Sequence, residues 1–323
     1  MGKARDSMPA LYTGNKILSS DIEGAGLLTI GNTFYVKRTA DTDYSDFFDK
    51  YNYVNSDGKN SVHSTLQSAI DACVNWRGDR IITGRGTFVV TTPVLFNKQG
   101  ITVQTGFDVS GEDSGERFCI NADATANIAA AIISEPCTII GLGFDSANSA
   151  GGTVTSSAAG SGFDGGNYCR FINCRFTNWG HAQEAVTLNY NDYVKFENCS
   201  FDGTINGEAG SANVFDSGLN ITQGHYINVI DCTFRGCTYA ITHGTPNPAD
   251  ADHSNKSLCY KGNKILDGKF VNWNTTATYT ETSGLVADNW FGVATGTGVY
   301  SEAVATTQGN CTALRFAGNH YSE

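Results

Sequence analysis

Apolar and polar positions in the middle of the chain recur in one short pattern: apolar, any residue, Asn or Asp, Cys, any residue, Phe. It appears at Phe171–Phe176, Phe196–Phe201 and Val229–Phe234. A looser form fits Ile139–Phe144, Tyr260–Ile265, Val286–Phe291 and Phe316–Tyr321. The final positions are spaced by 32, 25, 33, 31, 26 and 30 residues, a period that belongs to solenoids and propellers.

The columns of this repeat predict its local structure. The last position is always large and apolar: Phe144, Phe176, Phe201, Phe234, Ile265, Phe291, Tyr321. Three places earlier stand Gly141, Asn173, Asn198, Asp231, Gly262, Asp288 and Gly318, the residue types that tolerate a left-handed bend. Between these lie Leu142, Cys174, Cys199, Cys232, Asn263, Asn289 and Asn319. Five and seven places before the end the chain is again mostly apolar. Each repeat therefore reads as a short strand, a tight bend and a second strand, with alternate residues turned inward. Helical repeats would space their apolar residues at i, i+3 and i+4, and these segments do not. A WD-type propeller would carry its own dipeptide signature, which is absent. Stacked coils feeding parallel sheets fit best. About seven to nine of them would make a rod roughly 35–45 Å long at ~4.8 Å per strand.

Before the coils, residues 34–97 read as a small α/β cap. Phe34-Tyr35-Val36 is a strand signal, and Tyr44–Tyr53 is a loop or short helix. Ser61–Cys73 is an amphipathic helix, with Val62, Leu66, Ala69, Ile70 and Cys73 on one face. Arg80–Ile82 and Thr87–Val90 are strands joined by a Gly84–Gly86 turn. Residues 1–33 show no period and read as an extended arm that a partner surface would order. Residues 98–323 hold the coils, with Gly-, Ser- or polar-rich excursions at Gly151–Gly166, Thr204–Asp216 and Thr245–Lys256.

The opening motif carries a resemblance. Thr65, Gln67 and Ala69–Ala72, then Gly78-Asp79, Ile81-Ile82 and Gly86-Thr87-Phe88 resemble the start of right-handed parallel β-helix proteins of the pectate-lyase-like superfamily. Arg85 stands where that family usually has Pro. The strand at Gly31–Val36 in front of it is similar to the opening of phage virion proteins. The expected fold is all-β: a right-handed single-stranded parallel β-helix with an N-terminal α/β cap and arm. The resemblance implies a bacteriophage virion component, either a capsid decoration or head fibre or a small tail protein. Such a protein would attach to capsid or tail proteins through its arm, as a homotrimer, and could hold host-surface polysaccharide. The alternatives are a tailspike-like polysaccharide depolymerase and a free microbial polysaccharide lyase or hydrolase.

Composition narrows the partners. Lys and Arg number 21 against 32 Asp and Glu, for a net charge of −11. This argues against nucleic acid, which needs clustered cations. The polar N-terminus lacks the apolar stretch of a signal peptide, and no run is long enough to span a membrane. The expectation is a protein folded in the host cytoplasm and carried on the virion.

The ten cysteines would suggest disulfides in a secreted chain. Here Cys174, Cys199 and Cys232 share one inward track, and Cys137 and Cys169 another, so buried free thiols are expected.

Candidate chemistry is sparse. A glycosidase needs two carboxyl groups held roughly 5–9.5 Å apart, and Glu184, Asp202, Glu208 and Asp216 are the candidates near the excursions. No spacing forces any two together, so a non-enzymatic role is favoured. If the chain is an enzyme, Glu184, Asp202 and Asp216 are its expected catalytic residues. Pectate lyases use calcium-binding acidic clusters and an Arg base; the clusters are missing here. Arg170, Arg175 and Arg235 fall on outward positions. His181, His225 and His243 form no metal-binding pattern, and no cofactor or metal is expected. Asn263, Asn289 and Asn319 would form an inward amide ladder. Arg77-Gly78-Asp79 is read as a turn. The chain ends two residues after the last repeat position, with no C-terminal cap in the pattern.

Overall fold

The expected bend is left-handed in all seven repeats. φ is 74° at Gly141, 55° at Asn173, 52° at Asn198, 54° at Asp231, 69° at Gly262, 56° at Asp288 and 61° at Gly318. In the computed structural model the described residues are 31–106, 118–123, 128–145, 154–157, 166–177, 184–203, 215–243, 254–266, 269–273, 281–291 and 313–321. Each bend ends a strand of one parallel sheet and starts a strand of the next.

The strands form two parallel sheets, of 18 and nine strands, and the larger one bends into two faces, so three faces, here called sheets I, II and III, run along the rod. Sheet I contains Thr33–Val36, Arg80–Thr83, Ile101–Thr105, Cys137–Ile140, Arg170–Ile172, Lys195–Glu197, Asn228–Ile230, Ser254–Lys261, Glu281–Ala287 and Ala313–Ala317. Sheet II holds nine strands, from Gly86–Val90 to His320–Tyr321. Sheet III, which the two-strand reading of the repeat does not anticipate, runs from Val94–Phe96 through Glu184–Asp192 and Phe215–His225 to Lys269–Trp273. The chain passes from I to II to III and back to I, the right-handed coil that parallel crossovers favour. The fold is therefore the all-β, right-handed parallel β-helix expected from the repeat.

The last column of the repeat is a true column. Phe144 pairs in register with Phe176, Phe176 with Phe201, Phe201 with Phe234, Phe234 with Ile265, Ile265 with Phe291 and Phe291 with Tyr321. Rings of successive coils stack inside: centroids are 5.4 Å apart for Phe144–Phe176, 4.8 Å for Phe176–Phe201 and 4.6 Å for Phe201–Phe234. Phe171 and Phe196 form a second stack at 4.7 Å. These rings are fully buried, each worth about 1.5–3 kcal/mol of hydrophobic stabilisation.

The amides of the Asn263, Asn289 and Asn319 column are satisfied by the coil geometry. Asn263 and Asn289 are fully buried. The oxygen of each accepts the N–H of the residue one coil before, Cys232 and Asn263 respectively, at 2.9 Å. Each amide nitrogen donates to a backbone carbonyl, of Val229 at 2.9 Å and Tyr260 at 3.0 Å. Asn319 continues the ladder to Asn289 N–H and Val286 O. Cys137, Cys169, Cys174, Cys199 and Cys232 are buried free thiols, and burial pushes those of Cys174 and Cys232 well above the ordinary range.

The cap closes one end. Helix α1 (Tyr44–Tyr51) lays Phe47 and Tyr51 against Tyr35. Helix α2 is shorter than its pattern predicts, Leu66–Ala72 rather than 61–73. The side chain of Thr65 accepts Ser68 N–H at 3.1 Å and starts the helix there, as an N-cap does. Val62 and His63 instead pair as a strand with Tyr35 and Val36. Gln67, outside the apolar face of α2, accepts Leu95 N–H at 2.7 Å and so ties the helix to the first coil. Such a cover protects the exposed end of a solenoid. Residues 1–30, most of the expected arm, lie outside the described residues, as do residues 322 and 323 at the other end.

Candidate functional site

The three residues expected to be catalytic lie on strand ends where the chain leaves sheet II and enters sheet III. Glu184 opens the strand Glu184–Asp192 of sheet III. Asp202 closes the strand Ser200–Asp202 of sheet II in the next coil. Asp216 is the second residue of Phe215–His225, the sheet III strand that follows. The parallel stack thus places residues 18 and 14 apart in sequence on one corner of two adjacent coils. Glu208 lies outside the described residues.

The sheet III face beside this corner is lined by amides and hydroxyls. Thr187, Asn220 and Thr242 are register neighbours on outward, half-buried positions. Asn220 donates its amide to Glu184 Oε1 at 3.1 Å, and Thr222 donates its hydroxyl to Asn189 Oδ1 at 2.8 Å. Asp202 stands in register between Thr177 and Arg235. The chemistry on offer is hydrogen bonding to a polar chain, with Glu184 held by a neutral amide.

Other candidates resolve into structural roles. Arg170, Arg175 and Arg235 point outward and are exposed, and Arg170 lies 3.8 Å from Glu197. His225 Nδ1 is 3.0 Å from Asp192 Oδ1. His243 is fully buried, its Nε2 3.0 Å from the Tyr260 hydroxyl, and burial lowers its pKa to about 3. His181 lies outside the described residues. Among the described residues no group of three or more His, Cys, Asp or Glu could hold a metal ion. Asp79 of the Arg77-Gly78-Asp79 turn is fully buried. It accepts N–H bonds from Asn32 and Val74, both at 2.7 Å, and from Arg77 at 2.6 and 2.8 Å. Arg77 also reaches Asp57 at 2.8 Å.

One feature of the rod has no counterpart in the repeat template: a second left-handed corner between sheets III and I, occupied by Gly100, Tyr168, Tyr193, Tyr226 and Ser257, with left-handed Trp76 of the cap packed on Gly100. The signal was present in the spacing. Tyr168, Tyr193, Tyr226 and Ser257 each stand eight residues before the final apolar position of their repeat. Tyr is not a turn-former by composition, which hides it.

No family model matches the sequence, and no curated protein matches it. Among solved structures, the pectin methylesterase from carrot is similar over 92% of this chain and 85% of its own, with 11% identity and a TM-score of 0.48. The ORF18 protein of Geobacillus virus E2 is similar over 79% of this chain and 56% of its own, with 12% identity and a TM-score of 0.39. The tailspike protein of Acinetobacter baumannii phage AM24 is similar over 80% of this chain and 51% of its own, with 11% identity and a TM-score of 0.34. The chain spans little more than half the length of these two phage proteins. At such identities and scores, function has to be argued from the chain's own residues.

Proposed function

We propose that this chain is the projecting rod of a bacteriophage virion protein, a capsid decoration, head fibre or small tail component, that meets host-surface glycan along its sides. The observation that carries the reading is how the chain enters the rod. Gly31 packs on Gly78 so closely that a Cβ would lie 2.2 Å from the Gly78 carbonyl carbon. Asn32 is bonded to buried Asp79 on its N–H side, and its carbonyl accepts Arg80 N–H at 2.9 Å. A segment arriving through residue 30 is therefore fixed to the capped end, and the coils extend away from it. Residues 1–33 act as the attachment arm, residues 34–97 as the cap and residues 98–323 as the projecting rod, assembled as a homotrimer.

Deleting residues 1–30 is expected to leave a soluble β-rich protein that no longer joins the particle, measured as copies per virion. Normal incorporation of the truncated protein would sink the attachment role. A monomer by light scattering, in solution and after release from the particle, would sink the trimer.

A second reading is favoured by the corner holding Glu184, Asp202 and Asp216: a tailspike-like depolymerase. Its test is cleavage of host polysaccharide by the full chain. Loss of cleavage on replacing two of the three singly would establish it.

A further inference from the structure

The sheet III–I corner carries an aromatic ladder on the outside of the rod. Tyr168, Tyr193 and Tyr226 are 58%, 43% and 46% exposed. Their rings stack coil over coil, with centroids 4.7 and 4.5 Å apart and planes within 4° and 6°. Trp76 of the cap, 64% exposed, packs on Gly100 of the same corner, where an added Cβ would come within 2.9 Å of its ring.

The three tyrosines hold a costly backbone. Their φ values are 57°, 58° and 58°, a region that bulky L-residues seldom occupy. The backbone does not require an aromatic there. Gly100 and Ser257 turn the same corner at 70° and 56°, and the sheet I–II corner is turned by Gly, Asn and Asp. Tyr193 N–H donates to His225 O at 2.8 Å and Tyr226 N–H to Lys256 O at 2.9 Å, bonds that any non-proline residue would make. Strained residues that the fold does not need point to a function.

The surface beside the ladder carries charges of both signs. Two residues beyond Tyr168 and Tyr193 stand Arg170 and Lys195, register neighbours on sheet I. Both meet Glu197, at 3.8 and 2.8 Å. At the far edge Asn198 donates its amide to Asn173 Oδ1 at 2.6 Å. Across the strip this sets phenol edges and hydroxyls, then guanidinium and ammonium donors, then a carboxylate, then amides. Along it the tyrosines recur over three coils and the cations over two, at the coil spacing of ~4.8 Å, while Glu197 stands between Ile172 and Ile230.

We infer that Tyr168, Tyr193 and Tyr226, with Arg170, Lys195 and Asn198 beside them, form a binding strip for a neutral polysaccharide chain lying along the rod. The inference rests on the glycan-binding part of the proposed function and gives it a location away from the carboxylate corner. Hydroxyl-rich chains offer donors and acceptors at close, regular spacing, which the strip matches. A polyanion would meet Glu197 between Arg170 and Lys195, and the Asp192 carboxylate next to Tyr193.

The test uses the full-length protein on an array of neutral and acidic bacterial surface polysaccharides, followed by titration calorimetry on the bound ones. Tyr168→Asn, Tyr193→Asn and Tyr226→Asn are combined in one variant, because asparagine accepts the left-handed backbone. Tyr193→Phe, which keeps the ring and removes one hydroxyl, is the second variant. The expected result is binding of a neutral polysaccharide that weakens at least tenfold in the triple variant and about threefold in Tyr193→Phe, with the β-rich circular dichroism spectrum retained. If the triple variant fails to fold, Tyr193→Phe decides. Binding of a neutral polysaccharide with both folded variants within twofold of the parent overturns the strip and leaves the glycan reading standing. Binding confined to acidic polysaccharides overturns the neutral-chain assignment. No binding on the array overturns the strip and the glycan reading together.

Discussion

Two corners of this rod solve one geometric problem with different residues. At the I–II corner, a left-handed residue in every repeat is Gly, Asn or Asp, and the next position is packed inside. At the III–I corner the same backbone conformation is filled by tyrosine in three coils, Tyr168, Tyr193 and Tyr226, with their side chains exposed, and by Gly100 and Ser257 in others. The first corner uses residues whose short side chains make the conformation cheap. The second accepts a cost, and ring stacking returns about 0.5–1.5 kcal/mol per pair. A backbone requirement alone explains the first corner and leaves the identity of the second unexplained.

The buried polar groups near the two corners differ by one titratable side chain, although the III–I side also holds a buried amide, Asn191. Beneath the I–II corner they are amides, which do not titrate. Leading into the III–I side is His243, the last residue of Cys237–His243 in sheet III. Acid should therefore separate the two corners, and this is the largest expected effect. The His243 pKa falls from 6.5 to about 3 on folding because burial disfavours the cation. The unfolded chain thus takes up the proton first as pH drops. The stabilisation is complete above pH 6.5, declines between 6.5 and about 3, and is gone below. Its size is on the order of 5 kcal/mol. Urea unfolding at a series of pH values, compared with His243→Asn, should show a shallower acid slope in the variant. An NMR titration placing His243 near 6.5 in the folded protein would contradict it.

The amide ladder should come next. Asn289→Ala removes the acceptor of Asn263 N–H and the donor to Tyr260 O, stranding both inside the core. The expected loss is about 3 kcal/mol, read from the urea midpoint. A loss below about 1 kcal/mol would mean the interior relaxes or admits water there.

The smallest effect is expected at the aromatic corner. Tyr193→Asn removes two stacking contacts and relieves a strained φ, so stability should change by no more than about 0.5 kcal/mol in either direction. A loss above 2 kcal/mol would make the ladder a structural element and erase the contrast between the corners.

How much was legible in the sequence follows from the same contrast. The I–II corner and its two flanking strands stand out because inward positions alternate with period two and the bend needs special residues. Phe176, Phe201 and Phe234 could be aligned by eye for that reason. Sheet III was missed because its strands vary from Ala131–Ile133 to Phe215–His225 and the excursions interrupt their phase. The helix signal at 61–73 runs five residues too far toward the N-terminus, through Val62, because a buried strand residue and a buried helix residue look alike in a short window. The carboxylates Glu184, Asp202 and Asp216 could be named from the excursions, whereas their common corner appears only once the coils are stacked. The tyrosine ladder was invisible because an exposed Tyr carries no pattern until its neighbours one coil away are known.

In the attachment proposed above, the joint at Gly31 and Asn32 sets how the protein would bear load. Strand Thr33–Val36 is bonded on both sides, to Val62–His63 and to Arg80–Thr83. Tension entering through residue 30 along the strand would pull those bonds together in shear, with the Asn32–Asp79 contact taking the first strain. The same force directed along the rod would peel them one after another. A particle tethered through this joint should hold fast against sideways drag and give way first to a pull along its own axis.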